Sequence, residues 1–281
     1  GVDDEKLSRS LKQQKFGKSL DLTELRKCEP FWYQKEILDK LLIERNVHNR
    51  WKNLIVAATG TGKTMISAFD YRRFKNENSH ARLLYVAHRK EILQQAQKTF
   101  KDVLQDYNFG QLWVDGLEPD NYYFLFASNM TLKNRVNDLP LADDYYDYII
   151  IDEVHHVSAS SYRPILNRFK PKILVGLTAT PERMDGEDIL PDFCNAIAAE
   201  IRLPEALNQR LLSPFQYFGV SDNIDLSRVS WENGKYNVAE LTRVYTEGDE
   251  RVRLIINALD RYLTDIHSVR ALCFCASVDH A

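Results

Sequence analysis

The sequence predicts a doubly wound α/β domain, and three observations carry that reading. Short runs that are apolar almost throughout recur along residues 53–180, and amphipathic stretches lie between them. One of these runs also leads into a glycine-containing loop that opens directly into a helix. Apolar runs without alternation suit strands buried on both faces of a parallel sheet. Regular exchange of strand and helix is what the crossovers of such a sheet require.

Taken in order, residues 1–25 are polar and charged with one apolar patch near Leu20–Leu25, and read as a frayed or helical lead-in. From Pro30 the pattern tightens. The expected strands are NLIVAA (53–58), RLLYVAH (82–88), YYFLFAS (122–128), YDYIIID (146–152) and KILVGLTAT (172–180), with helices expected over 64–75 and 89–104. The first domain therefore covers 26–205. After residue 205 the alternation is lost, and 206–268 read as linker and packing structure. Within it YFGVSDNIDL (217–226) reads as a strand with a return loop, and 250–265 as a helix. VRALCFCAS (269–277) is again a buried-strand pattern, so 269–281 are expected to begin a second α/β domain.

Composition narrows the function classes. The chain has 281 residues, 44% hydrophobic and 27% charged, with a formal charge of −3. Any contact with nucleic acid must come from local cations rather than a global positive field. Four scattered cysteines do not make a disulfide framework, and Cys273 and Cys275 read as buried reduced thiols. No stretch approaches the 18 apolar residues of a membrane span, and the expected location is cytoplasmic.

The segment Ala57–Thr64, AATGTGKT, follows a strand and opens a helix, the context of a phosphate-binding loop. Gly60 and Gly62 leave the backbone N–H groups of Thr59–Lys63 bare for an anion. The helix adds its positive N-terminal end. Lys63 can reach β- and γ-phosphates, and the Thr64 hydroxyl can ligate magnesium. A second element is then needed, a carboxylate at the end of another strand. IIIDEVHH (149–156) supplies Asp152 for the metal and Glu153 to polarise an attacking water.

Together, AATGTGKT and Asp-Glu-Val-His (152–155) resemble the superfamily 2 helicases and translocases. Other markers follow the same order: Tyr33-Gln34 resembles the adenine-reading Q-type motif, and YVAHRKEILQQA (85–96) resembles motif Ia. FASNMTL (126–132) resembles motif Ib, LTATP (177–181) motif III, and ALCFCASVDHA (271–281) the opening of motif IV. AFDYRRF, TATPERMDGEDIL and AAEIRLPEALNQRLLSPFQYFGVSD are similar to the bacterial group related to restriction-enzyme R subunits.

The resemblance implies a RecA-like domain that binds ATP with Mg2+ and moves on DNA, followed by the start of a second RecA-like domain. By resemblance Thr59, Gly60, Thr61, Gly62, Lys63 and Thr64 bind ATP, with Thr64 and Asp152 on the metal. Glu153 is the catalytic base and Gln34 reads adenine. His155, Thr178 and Thr180 couple nucleotide state to the track, while Arg89 and Ser128 touch its phosphates. Each also has a structural alternative: Gln34 as a polar helix position, Thr178 and Thr180 as caps of a turn, Arg89 as a solvated helix start. Phe31 and Trp32 depart from the arginine-containing versions of the first motif, which favours aromatic packing there. The alternatives for the whole are a restriction motor that pumps duplex DNA without unwinding it, or a nucleotide-switched binding module. Arginine-containing motifs of the second domain would fall beyond Ala281, so very slow hydrolysis by this chain alone is expected.

Overall fold

The computed structural model describes residues 28–154, 159–181, 188–221, 225–232, 235–246, 250–265 and 267–275. The chain divides into two compact units at Pro214/Phe215.

The first unit runs α1 (Trp32–Asn46), β1 (Lys52–Ala57), α2 (Lys63–Glu77), β2 (Leu83–Ala87), α3 (Lys90–Leu104), β3 (Gln111–Trp113) and β4 (Phe124–Ser128). It continues with α4 (Asn129–Arg135), β5 (Tyr148–Ile151), α5 (Ala159–Arg168), β6 (Ile173–Thr178), β7 (Ile197–Ile201) and α6 (Leu203–Asn208). The strands form one seven-stranded sheet in the order β3-β4-β2-β5-β6-β1-β7, with every pairing parallel. This is the α/β architecture that the alternation predicts.

The apolar runs are explained by what lies on each side. In β1, Ile55 and Ala57 join the core beneath α1, α2 and α3, whereas Leu54 and Val56 join the core on the opposite face. Tyr148 and Ile150 of β5 divide from Ile149 and Ile151 in the same way. Successive side chains point to opposite faces, so a strand covered on both must be apolar at every position. The α3 helix shows the complementary rule. It buries Leu93, Ala96, Phe100 and Val103, a three-four-three spacing that keeps one stripe against the sheet.

Two strands fall outside the expected set. β3 and β7 lie at the two edges of the sheet, and each contains partly exposed positions, which breaks the continuous apolar pattern.

The second unit holds a short antiparallel pair, β8 (Trp231–Glu232) and β9 (Lys235–Tyr236), and helices α7 (Val238–Thr246) and α8 (Glu250–Tyr262). Phe218 stacks on Tyr262 with ring centroids 4.2 Å apart. Residues 217–221 are not a strand, and neither are 269–275. Leu272 and Phe274 are 80% and 89% exposed. The thiols of Cys273 and Cys275 are exposed too, a correction to the buried pair expected from the sequence. A buried parallel strand needs a partner on either side, and this segment has no ladder among the described residues.

Candidate nucleotide-binding site

The strands of a parallel sheet all deliver their C-terminal ends to one edge, and that edge is where ligands bind in open α/β folds. The sequence-predicted residues collect there. The loop Ala58–Gly62 follows β1, Arg89 follows β2, Ser128 ends β4, Asp152 and Glu153 follow β5, and Thr178 ends β6. Thr178 pairs in register with Val56 of β1, and the Val154 N–H donates to the Leu177 carbonyl at 3.1 Å. The segments after β1, β5 and β6 are therefore neighbours.

The loop after β1 owes its shape to its glycines. Gly60 and Gly62 adopt φ of 91° and 80°, left-handed values that cost other L-residues energy. A Cβ on Gly62 would lie 2.9 Å from Gln34 Nε2, and one on Gly60 would lie 3.0 Å from Leu212 Cδ2. The loop is also tied from within and from α1. Thr61 Oγ1 donates to the Ala58 carbonyl at 2.7 Å, and Tyr33 Oη donates to the Thr61 carbonyl at 3.0 Å. Gln34 is buried beside it, its Oε1 accepting from the Phe31 N–H at 3.0 Å and its Nε2 donating to Tyr33 Oη at 3.4 Å. Phe31 stacks over Tyr33, the aromatic packing that its departure from the arginine-containing motif favours.

Lys63 opens α2 and folds back so that Nζ donates to the Ala57 carbonyl at 3.2 Å. It lies 3.8 Å from Glu153 Oε1. Glu153 sits at φ 51°, a left-handed backbone uncommon for a residue with a Cβ and concentrated at functional sites. Asp152 is 4% exposed. Its Oδ2 accepts from Tyr85 Oη at 2.5 Å and its Oδ1 from the Glu153 N–H at 2.9 Å. Burial pushes the Asp152 carboxyl above its ordinary range, the Tyr85 hydrogen bond and Lys63 pull against that, and the Glu153 charge adds to it. Among the described residues no cluster of three or more His, Cys, Asp or Glu could hold a metal. The donors here are instead one hydroxyl and one carboxylate, hard oxygens that fit a magnesium ion sharing its shell with phosphate and water.

Elsewhere along the edge the hydroxyls are engaged locally. Thr178 Oγ1 accepts from the Thr180 N–H at 3.2 Å and donates to the Thr180 carbonyl at 2.9 Å, so both threonines shape the turn after β6. Ser128 Oγ accepts from the Thr131 N–H at 3.1 Å and caps α4. Arg89 is exposed at the start of α3. His155 lies outside the described residues. The site residues that sequence reasoning misses are Tyr33 and Tyr85 as hydrogen-bond donors. For Tyr85 the available signal is a tyrosine inside an otherwise aliphatic strand, because a buried phenol usually finds a partner.

The family described as type III restriction enzyme, res subunit, matches residues 27–183, more than half of the chain. The chain belongs to that family. Among relatives of this res-family chain is the Escherichia coli "Type I restriction enzyme EcoAI endonuclease subunit", 29% identical over 277 residues, covering 90% of this chain and 33% of that protein. Another is the Saccharomyces cerevisiae protein named "Putative ATP-dependent helicase IRC3", 28% identical over 226 residues, covering 75% and 32%. The res-family chain thus spans about a third of the length of these relatives. The nuclease-deletion mutant of the type ISP restriction-modification enzyme LlaGI, solved with a DNA substrate mimic, shares its fold. The TM-score is 0.51 at 14% identity, covering 85% of this chain and 25% of that one. The first unit is a RecA-like domain. Among the described residues no helix is long and apolar enough to cross a membrane.

Proposed function

We propose that this chain is the ATP-dependent motor domain of a DNA helicase or translocase. The observation that carries the reading is the convergence at one sheet edge of an anion-binding loop, a buried Asp152, and Glu153 placed 3.8 Å from Lys63. Backbone N–H groups of Gly60–Lys63 and the N-terminal end of α2 would face the phosphates, with Lys63 neutralising their charge. Thr64 and Asp152 would hold the magnesium ion, which when bound offsets charge on the phosphate oxygens. Glu153 orients and polarises the attacking water. In the described state Lys63 contacts the Ala57 carbonyl and Glu153. Binding of a phosphate would draw it away and leave Glu153 facing the water.

Restriction and helicase proteins among the relatives support DNA as the track, as does the DNA substrate mimic bound to LlaGI. Arg89 and the segment around Ser128 lie at the same edge and would meet the phosphate backbone without reading bases. Residues 26–205 are the nucleotide-binding domain in this reading, and 206–268 are linker and packing structure. Residues 269–281, an apolar run with exposed Leu272 and Phe274, would begin a second RecA-like domain. We place this motor in the cytoplasm. The 29% identity to a restriction subunit over most of the chain favours a second reading, a motor that pumps duplex DNA without separating strands.

ATP hydrolysis by the full-length protein, measured with and without single-stranded DNA, duplex DNA and RNA, tests the proposal. DNA should stimulate turnover strongly, and chelating magnesium should abolish it. Turnover indifferent to all three polymers would leave a nucleotide-switched binding module instead.

Gly62→Ala should weaken nucleotide binding about tenfold, because the left-handed backbone costs an L-residue roughly 1–2 kcal/mol. The new methyl would also collide with Gln34 Nε2. Titration calorimetry with ADP measures the shift.

A further inference from the structure

Tyr85 lies in the middle of β2, in the run LLYVA, and is completely buried. Its ring packs against Phe100 and Phe126, with centroids 5.8 Å and 5.4 Å away. Phenylalanine would serve that packing equally well, so the hydroxyl needs its own explanation. It donates to Asp152 Oδ2 at 2.5 Å across 67 residues of sequence, and the Thr64 side chain lies beside the same phenol. The register explains the reach. Tyr85 pairs with Ile150, and residue 152 is two positions further on, where period-two geometry returns to the same face. One buried phenol thereby holds the carboxylate that would ligate a metal ion.

We propose that Tyr85 is a positioning residue for this metal site, its phenol fixing the orientation of the Asp152 carboxylate. The inference rests on the nucleotide-binding reading above. Asp152 is oriented at both oxygens, Oδ2 by Tyr85 and Oδ1 by the Glu153 N–H. Each oxygen keeps lone-pair capacity for a hard cation. A carboxylate left to rotate would sample orientations less suited to the ion. Partners that orient ligands in this way typically change metal affinity 10- to 100-fold when removed.

Tyr85→Phe removes the donor and keeps the ring. The experiment is the dissociation constant of a fluorescent, non-hydrolysable ATP analogue, measured once with saturating Mg2+ and once with EDTA. The wild type should bind more tightly with Mg2+, and Tyr85→Phe should shrink that advantage about tenfold or more while its affinity in EDTA stays unchanged. Tyr85→Leu, which also loses ring packing, should melt lower than Tyr85→Phe yet show the same loss of metal advantage. An unchanged metal advantage in both variants overturns the proposal, and so does equal weakening with and without metal, the signature of a packing role. A wild type that gains nothing from Mg2+ would instead overturn the nucleotide-site reading, and the inference with it.

Discussion

Glu153→Gln is expected to cut ATP turnover by roughly 10²- to 10⁴-fold, the usual contribution of a positioned general base, while nucleotide affinity changes by no more than about threefold. The substitution is nearly isosteric and preserves hydrogen bonding, but glutamine can neither accept a proton nor present a negative charge to a water. In the proposed reading the surroundings hold Glu153 in place for that role. Its backbone is left-handed, its N–H is committed to Asp152, and its carboxylate lies beside the buried Lys63. Removing the charge also frees Lys63 from its nearest carboxylate partner, which favours phosphate binding and offsets any loss of contact. Single-turnover hydrolysis and equilibrium titration separate the two quantities. A variant retaining a third of the wild-type rate would assign proton removal to another group. Parallel losses in rate and affinity would mean that the substitution had collapsed the site.

The candidate site at this edge is legible because its parts are local in sequence. Gly60, Gly62, Lys63 and Thr64 occupy one short loop, and Asp152 and Glu153 are adjacent, so spacing alone suggests their roles. The central strands are legible for a different reason: burial on both faces removes polar residues from β1, β2, β5 and β6, leaving a pattern that needs no partner to be seen. Edge strands lose that pattern, which is why Gln111–Trp113 and Ile197–Ile201 resemble loop. Tyr85 and Tyr33 go unnoticed as donors because their roles exist only across the fold. Their acceptors, Asp152 and the Thr61 carbonyl, stand 67 and 28 residues away. The run VRALCFCAS suggests a strand by its apolar content alone, and apolar content cannot report whether a neighbouring strand is there to pair with.

The same limit hides a buried ionic network at the N-terminal ends of the strands, and Arg45→Met should expose it. Arg45 of α1 forks onto Asp70 of α2, with Nη1 to Oδ1 at 2.9 Å and Nη2 to Oδ2 at 2.6 Å. Its Nε donates to Asn53 Oδ1 at 2.7 Å, and Tyr148 Oη completes the shell by donating to Asp70 Oδ2. Arg45 and Asp70 are 4% and 1% exposed. Asn53 and Tyr148 stand at the starts of β1 and β5, so the network pins two helices to two strands at the end opposite the nucleotide loop. Burying such a pair costs both partners their hydration, and its net worth against an apolar replacement is small. Breaking it from one side is another matter. Methionine fills much of the arginine volume but leaves Asp70 buried with only a phenol beside it, a loss of about 3–5 kcal/mol. For a unit of this size that lowers Tm by roughly 6–20 °C. Thermal unfolding of Arg45→Met, Asp70→Leu and the double variant measures it. The double variant should melt above both single variants, because it removes the unpaired charge along with its partner. A single variant that melts within about two degrees of wild type would mean that water reaches Asp70 and takes over the role of the guanidinium. Nucleotide affinity below the melting range should be unaffected in all three, since none of these side chains reaches the edge where Lys63, Asp152 and Glu153 meet.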